Sequence, residues 1–464
     1  MLGKTVLFVS LGLVVSCGDD GPEPVADAGL VPDAMQQPDA ALSSLDESLR
    51  TVLSENNIEE FDIGPDQEPM QVALGQLLYF DREISGNRDV ACATCHHPTT
   101  GTSDDLSLSI GVGGTGLGAT RVLGVGKSFI ARNAPEVFNR GAPQWTTMFW
   151  DGRIDTEVID GNPAGSLLPT VLLGNPLAIQ AMFPPTARDE MRGDSGDDDI
   201  NGDPNEIGNI DDADILDIWA GLADRLRVIP EYATLFPLAF DDIDDPSDIG
   251  FEHAALAIAA FEVDAFSFDE SPFDRYMGGD DTAISDSAKR GALLFYGDAN
   301  CVGCHTGSLF SDQLYHNVAT PQVGPGRGAE APVDIGRSVV SGSAADDYAF
   351  RTPSLRNITE SGPWMHNGAY TSLRAVVEHQ LDPVSGLMSY DPTQLSVAMQ
   401  ELVLEDDATM DAMIDNLDEL VVAATLSSEQ VDDLVAFLEA LTDPAAVDMS
   451  ALVPTSVPSG LTVD

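Results

Sequence analysis

Apolar positions recur at helical spacing in several separate stretches of the chain, and Gly- and Pro-rich sequence breaks the pattern between them. Val72, Leu74, Leu77, Leu78 and Phe80 form an apolar patch that ends at Asp81 and predicts a helix. Residues 215–226 and 253–266 carry the same spacing, with Asp217 and Asp264 among their polar positions. Residues 285–296 predict a further helix. Near the end, Ser427-Ser428-Glu429-Gln430 reads as a capping box, in which Ser427 accepts from the Gln430 amide and Leu426 staples onto Val431. Val431, Leu434, Val435, Leu438 and Leu441 then make one apolar face. Gly and Pro crowd residues 308–332, which predicts loop, and no strand-rich domain is apparent. The expected fold is mainly α with long loops.

A chain of 464 residues is long enough for two or three domains, each with its own core. The formal net charge of -56, from 77 acidic and 21 basic residues, excludes a nucleic-acid partner, because a phosphate backbone would be repelled. A solvated acidic surface accounts for this charge more simply than steering of a basic partner does. Lys4 precedes an apolar stretch, residues 5–16, that is too short for a membrane span and reads as an export signal. It ends in Val14-Val15-Ser16-Cys17, which resembles a bacterial lipobox. Residues 1–17 are therefore expected to be a lipoprotein signal peptide, with Cys17 as the acylated residue. Residues 18–44, rich in Ala, Asp and Pro, read as a flexible tether. The expected location is the cell envelope, on the periplasmic side, with a lipid anchor to a membrane; the outer membrane or cell surface fits as well.

The four other cysteines stand in two copies of one motif, Cys92-Ala93-Thr94-Cys95-His96 and Cys301-Val302-Gly303-Cys304-His305. Cys-x-x-Cys-His is the attachment signature of a c-type haem. Two thiols must each add across a haem vinyl group, and a histidine must reach the iron from the same side. Offsets of three and four residues place all of them on one face of a helical turn. The competing reading is a zinc site, whose Cys pairs usually lie about 12 to 20 residues apart; here more than two hundred residues intervene. Two covalently bound c-type haems imply two cytochrome c-like haem domains. They are expected at 45–270, with an acidic insert at 194–212, and at 271–445, followed by a tail at 446–464. In the insert, Asp197, Asp199, Asn201 and Gly202 satisfy half of an EF-hand loop, but Gly208 stands where a bidentate Glu is required. A solvated loop is the simpler reading, with a non-standard calcium site as its rival.

The segments around both motifs resemble the bacterial dihaem cytochrome c peroxidase family, which includes the MauG-type dihaem oxidases. The resemblance is carried by Leu74-Gly75-Gln76-Leu77-Leu78-Tyr79-Phe80-Asp81, Arg132-Asn133-Ala134-Pro135 and Phe149-Trp150-Asp151-Gly152-Arg153. After the second motif it continues in Phe350-Arg351-Thr352-Pro353-Ser354-Leu355-Arg356-Asn357 and Pro363-Trp364-Met365-His366-Asn367-Gly368. It covers most of residues 70–440. It implies that His96 and His305 are proximal ligands of the haem irons, that the first haem is the peroxide site, and that Trp150 bridges the two haems. Gln180, Pro184 and Glu190 match the family's residues above the peroxidatic iron by their mutual spacing, although thirty residues separate Trp150 from Gln180, where the family has about ten. This points to an inserted loop.

Chemistry supports those residue types. Cleaving the O–O bond of peroxide to give water requires a proton to move from the inner to the outer oxygen. A carboxylate in a partly desolvated pocket, such as Glu190, can serve as base and then as acid. Gln180 can donate and accept, so it can orient peroxide or a water. The resemblance also implies a calcium ion held by Asn133, Ser361 and Pro363. At the position of the second haem's distal ligand, methionine or tyrosine in the family, this chain has Gln380; His379, Gln380 and Met388 all stay open. His97, His253 and His316 read as packed or propionate-contacting residues. The implied activity is reduction of hydrogen peroxide to water with electrons from a small redox protein, a cytochrome c or a cupredoxin. The alternatives are a MauG-type oxidase acting on a protein or organic substrate, and a non-catalytic dihaem electron carrier.

Overall fold

The computed structural model describes residues 43–155 and 167–464. The expected signal peptide with Cys17, and the tether apart from its last two residues, lie outside the described residues, as does 156–166 within the stretch between Trp150 and Gln180. Residues 42–464 form one compact unit. The helices that carry its cores and sites are α1 (Ser44–Glu55), α2 (Pro69–Phe80), α3 (Pro176–Ala181), α4 (Ile215–Val228), α5 (Phe251–Ala265), α6 (Asp286–Phe295), α7 (Leu373–Leu381) and α8 (Ser428–Glu439). The fold is mainly helical, as expected from the apolar spacing. At the start of α8, the Ser427 hydroxyl accepts from the Gln430 amide (3.3 Å) and the Gln430 side chain accepts from the Ser427 amide (2.9 Å), closing the capping box. Among the described residues, no helix is long and apolar enough to cross a membrane.

Two apolar cores form. In the first, Leu74, Leu78 and Phe80 of α2 pack with Trp219 and Leu222 of α4 and with Ile258 and Phe261 of α5. In the second, Phe295 of α6 packs with Phe437 and Leu438 of α8, Phe273 and Phe310. The same device holds both. A Cβ at Gly75 would lie 1.8 Å from the Ala257 carbonyl oxygen, and one at Gly291 would lie 1.9 Å from that of Asp433. Each glycine lets the helix before a Cys-x-x-Cys-His motif touch the backbone of a later helix, α5 in one case and α8 in the other.

The chain ends cross between the cores, which chain order does not reveal. Leu49 and Leu53 of α1 are buried in the second core, while Ala446, Met449 and Val457 of the C-terminal stretch are buried in the first. The Ser459 hydroxyl donates to the Asp81 carboxylate at 2.6 Å, and the Asp464 carboxylate pairs with Arg82 and accepts from Thr94, inside the first haem motif.

Two two-residue antiparallel ladders were not expected. β1 (Thr147–Met148) pairs with β2 (Ile154–Asp155), and β3 (Tyr315–His316) pairs with β4 (Phe350–Arg351). The first forms a hairpin that presents Trp150, and the second fixes Arg351. The acidic insert turns its carboxylates onto protein cations: Lys127 contacts Asp194 (2.8 Å) and Asp197 (2.7 Å), and Arg88 contacts Asp199 (2.6 Å). That arrangement supports the loop reading over a calcium site.

Candidate haem and peroxide sites

Each Cys-x-x-Cys-His motif forms one tight turn in which the histidine amide donates to the first cysteine's carbonyl at 3.0 Å. The three side chains then open onto one cavity. His96 Nδ1 lies 3.1 Å from the Thr102 carbonyl, and His305 Nδ1 lies 2.8 Å from that of Phe310. A carbonyl only accepts, so Nδ1 carries the proton and Nε2 keeps its lone pair for a metal. Burial pushes the His96 imidazole down to about 4, against the opposing pull of Thr102, which keeps it neutral as a ligand must be.

The first cavity, of about 1780 Å³, is lined by Cys92, Cys95 and His96 together with Trp150, Gln180, Pro184 and Glu190. The second, of about 1600 Å³, is lined by Cys301, Cys304 and His305, and also by Asn133, Ser361 and Pro363. Both volumes include open mouths. The structure thus brings the four expected catalytic residues to one chamber, and the three expected calcium-binding residues to the wall of the other. Asn133 Nδ2 donates to the Leu106 carbonyl at 2.8 Å, which leaves its Oδ1 for a cation.

Trp150 faces both cavities. It is 9% exposed, and its indole Nε1 donates to the Asn133 carbonyl at 3.0 Å, which fixes the ring in the shared wall. Gln180 comes from the last turn of α3, whose Asn175 side chain caps the helix start by accepting from the Ala178 amide at 3.0 Å. Glu190 sits in a single wide helical turn, Arg188–Arg192. Gly111 holds that turn in place, since a Cβ there would lie 2.3 Å from the Glu190 carbonyl oxygen. Glu190 is half-buried, and burial raises its carboxyl pKa although Arg153 and Arg327 pull it down.

Sequence reasoning assigned no role to Arg351, which also lines both cavities and is 2% exposed. Its Nε donates to the Phe149 carbonyl (3.2 Å), one terminal nitrogen donates to the Thr352 carbonyl (3.2 Å), and its guanidinium lies 4.7 Å from the Trp145 ring. No carboxylate among the described residues forms an ion pair with it, and burial together with Arg140 lowers it to about 9, although the charge of Glu136, which also lines both cavities, pulls the other way. A buried cation with no carboxylate in direct contact fits a chamber wall that receives carboxylates such as haem propionates. The one signal in the sequence was its position inside the quoted segment Phe350–Asn357.

A zinc site fits poorly. The two Cys pairs line separate chambers and do not come together as one donor set. Among the described residues, only Cys304 gathers with further potential ligands, Asp312 and His316. Of the three open candidates for the second distal position, Gln380 alone lines the cavity. His379 has both nitrogens engaged, Nδ1 with the Tyr370 hydroxyl (2.8 Å) and Nε2 with the Val318 carbonyl (2.9 Å), and Met388 is 62% exposed. His97 is bound to Thr99, His253 accepts from the Gly250 amide at 3.0 Å, and His316 lies between Asp312 and Asp418.

Two chambers, each with paired thiols and a neutral imidazole and sharing one aromatic wall residue, offer the donor set that a pair of c-type haems requires. The model of the di-haem cytochrome c peroxidase family matches residues 69–282. The methylamine utilization protein MauG of Methylorubrum extorquens is 33% identical over 388 residues, covering 83% of this chain and 82% of its own. The cytochrome c551 peroxidase of Pseudomonas aeruginosa is 29% identical over 307 residues, covering 66% of this chain and 70% of its own. Among solved structures, a MauG-like protein associated with microbial copper homeostasis matches with a TM-score of 0.58 at 23% identity, over 84% of this chain and 96% of that one. The diheme peroxidase BthA of Burkholderia thailandensis matches at 0.53 and 22% identity, over 88% and 94%. The chain belongs to the di-haem cytochrome c peroxidase family, and those two structures share its fold.

Proposed function

We propose that this protein is a dihaem cytochrome c peroxidase that reduces hydrogen peroxide to water with electrons from a small redox protein. The observation that carries this reading is Glu190, a half-buried carboxyl with a raised pKa, facing the same chamber as Cys92, Cys95 and His96. The haems would be held by thioethers to Cys92 and Cys95, and to Cys301 and Cys304, with His96 and His305 as proximal ligands. When bound they supply the redox chemistry. The chain's own residues supply the rest. Gln180 orients peroxide, Pro184 shapes the chamber, and Glu190 takes the proton from one peroxide oxygen and returns it to the other. Trp150, in the wall that the two chambers share, would lie on the path for electrons between the two haems.

Residues 45–270 and 271–445 are read as the two haem domains, clasped by α1 and the 446–464 tail. Asn133, Ser361 and Pro363 would hold a calcium ion through oxygen atoms; metal analysis of the purified protein that finds no calcium removes that assignment. The thioether chemistry and the N-terminal apolar stretch support a body on the periplasmic side of the cell envelope, tethered by lipid on Cys17. The acidic surface suits a donor with a basic face.

Glu190→Gln keeps the shape of the side chain but removes the exchangeable proton. Steady-state peroxide turnover with reduced cytochrome c is expected to fall about 100-fold or more, the usual scale of a lost general acid–base. Unchanged turnover defeats the assignment. A second reading, a MauG-type oxidase acting on a protein or organic substrate, is favoured by Gln380 at the position where methionine stands in the peroxidases. Rapid cytochrome oxidation supports the first reading, and a long-lived oxidised state that ignores cytochrome supports the second.

A further inference from the structure

The second chamber contains a donor atom that neither the motif spacing nor the homologous position identifies. Leu373, Val376, Val377, Gln380 and Leu381 of α7 line it at helical spacing, so the side chain at 380 enters from that helix face. There the Gln380 Nε2 lies 3.8 Å from Sδ of Met365, which lines the same chamber. Met365 has a backbone φ of 74°, a left-handed conformation that non-glycine residues adopt uncommonly and that clusters at functional sites. Its neighbour His366 also lines the chamber, but its Nε2 is buried and its ring stacks on Phe350 with centroids 3.5 Å apart.

We propose that the Met365 thioether is the distal ligand of the second haem, and that Gln380 is a positioning residue that holds the sulfur. This rests on the reading of the second chamber as a haem site. A thioether sulfur has two lone pairs. One accepts the Gln380 amide hydrogen, and the other is free to donate to iron. Sulfur is a soft donor suited to haem iron and raises its reduction potential, whereas an amide oxygen from Gln380 would lower it. Methionine's three rotatable bonds allow the sulfur to settle onto the metal from a fixed backbone. A sulfur ligand thus survives the replacement of the residue on α7, supplied from the loop before it.

The test uses the holoprotein with intact haems, counted by mass as two thioether-bound groups per chain. That count checks the haem reading separately: fewer than two defeats it, whereas two haems without sulfur ligation defeat only this inference. The oxidised wild type is expected to show the weak long-wavelength sulfur-to-iron charge-transfer band. Met365→Leu is expected to lose it, with a fall in the higher of the two midpoint potentials, while Gln380→Leu retains the band. Absence of the band from the wild type, or its persistence with an unchanged potential in Met365→Leu, overturns the proposal. Should Met365→Leu fail to fold, Met365→His gives the same discrimination: loss of the band with a lowered potential supports ligation by Met365, and a retained band overturns it.

Discussion

Glu262 projects from α5 into the first chamber, 5% exposed, with Oε2 buried and without a hydrogen-bond partner. Burial pushes its carboxyl up to about 8, and Arg140 offsets this only in part. In the unfolded chain the same group ionises near ~4.3. Between those values the folded state binds a proton that the unfolded state has lost. The stabilising contribution is therefore complete below the unfolded pKa and drains away as pH rises towards 8, at about 1.4 kcal/mol per pH unit. Glu262→Gln keeps a neutral side chain of the same shape at every pH. Denaturation midpoints measured from about pH 5 to pH 8 should fall less in the variant than in the wild type. Parallel profiles would show that Glu262 ionises as an ordinary carboxyl.

Gly291 on α6 tests how the helices are held together. A Cβ there would lie 1.9 Å from the Asp433 carbonyl oxygen, so Gly291→Ala must push α6 off α8. Overpacking of this kind costs about 1–3 kcal/mol, whereas Ser427→Ala, which removes one capping hydroxyl of α8, costs about 1 kcal/mol. The glycine variant should show the lower denaturation midpoint, and the reverse order would place the weight on the cap. The helices themselves were legible because amphipathic spacing is local: 215–226 was expected where 215–228 forms, and Ser427 caps as its spacing implied. The exchange of α1 and the C-terminal stretch between cores was not legible, because an apolar face does not name its partner. At the chambers, the family resemblance pointed to Gln180, Pro184 and Glu190 through their mutual spacing, and all three line the first chamber. Arg351 and Met365 escaped notice because their meaning comes from what surrounds them: a buried cation with no carboxylate in direct contact among the described residues, and a sulfur beside an amide.

Over the whole molecule, the two chambers share a wall made of few residues, and Trp150 is the aromatic in it that faces both. On the proposed function, an electron delivered to the second haem would have to cross that wall to serve peroxide at the first. Phenylalanine at 150 would fill part of the space but is harder to oxidise, and it leaves the Asn133 carbonyl without its 3.0 Å donor. With the second haem reduced beforehand and peroxide added by rapid mixing, the two haems can be followed separately by their absorption. Trp150→Phe should leave the first haem's reaction with peroxide near its normal rate, because Gln180 and Glu190 are untouched. Oxidation of the second haem should slow by at least about tenfold, equivalent to about 1.4 kcal/mol of barrier. If both haems instead respond as in the wild type, electrons cross the wall by another route, and Trp150 is only the packing that keeps the chambers apart.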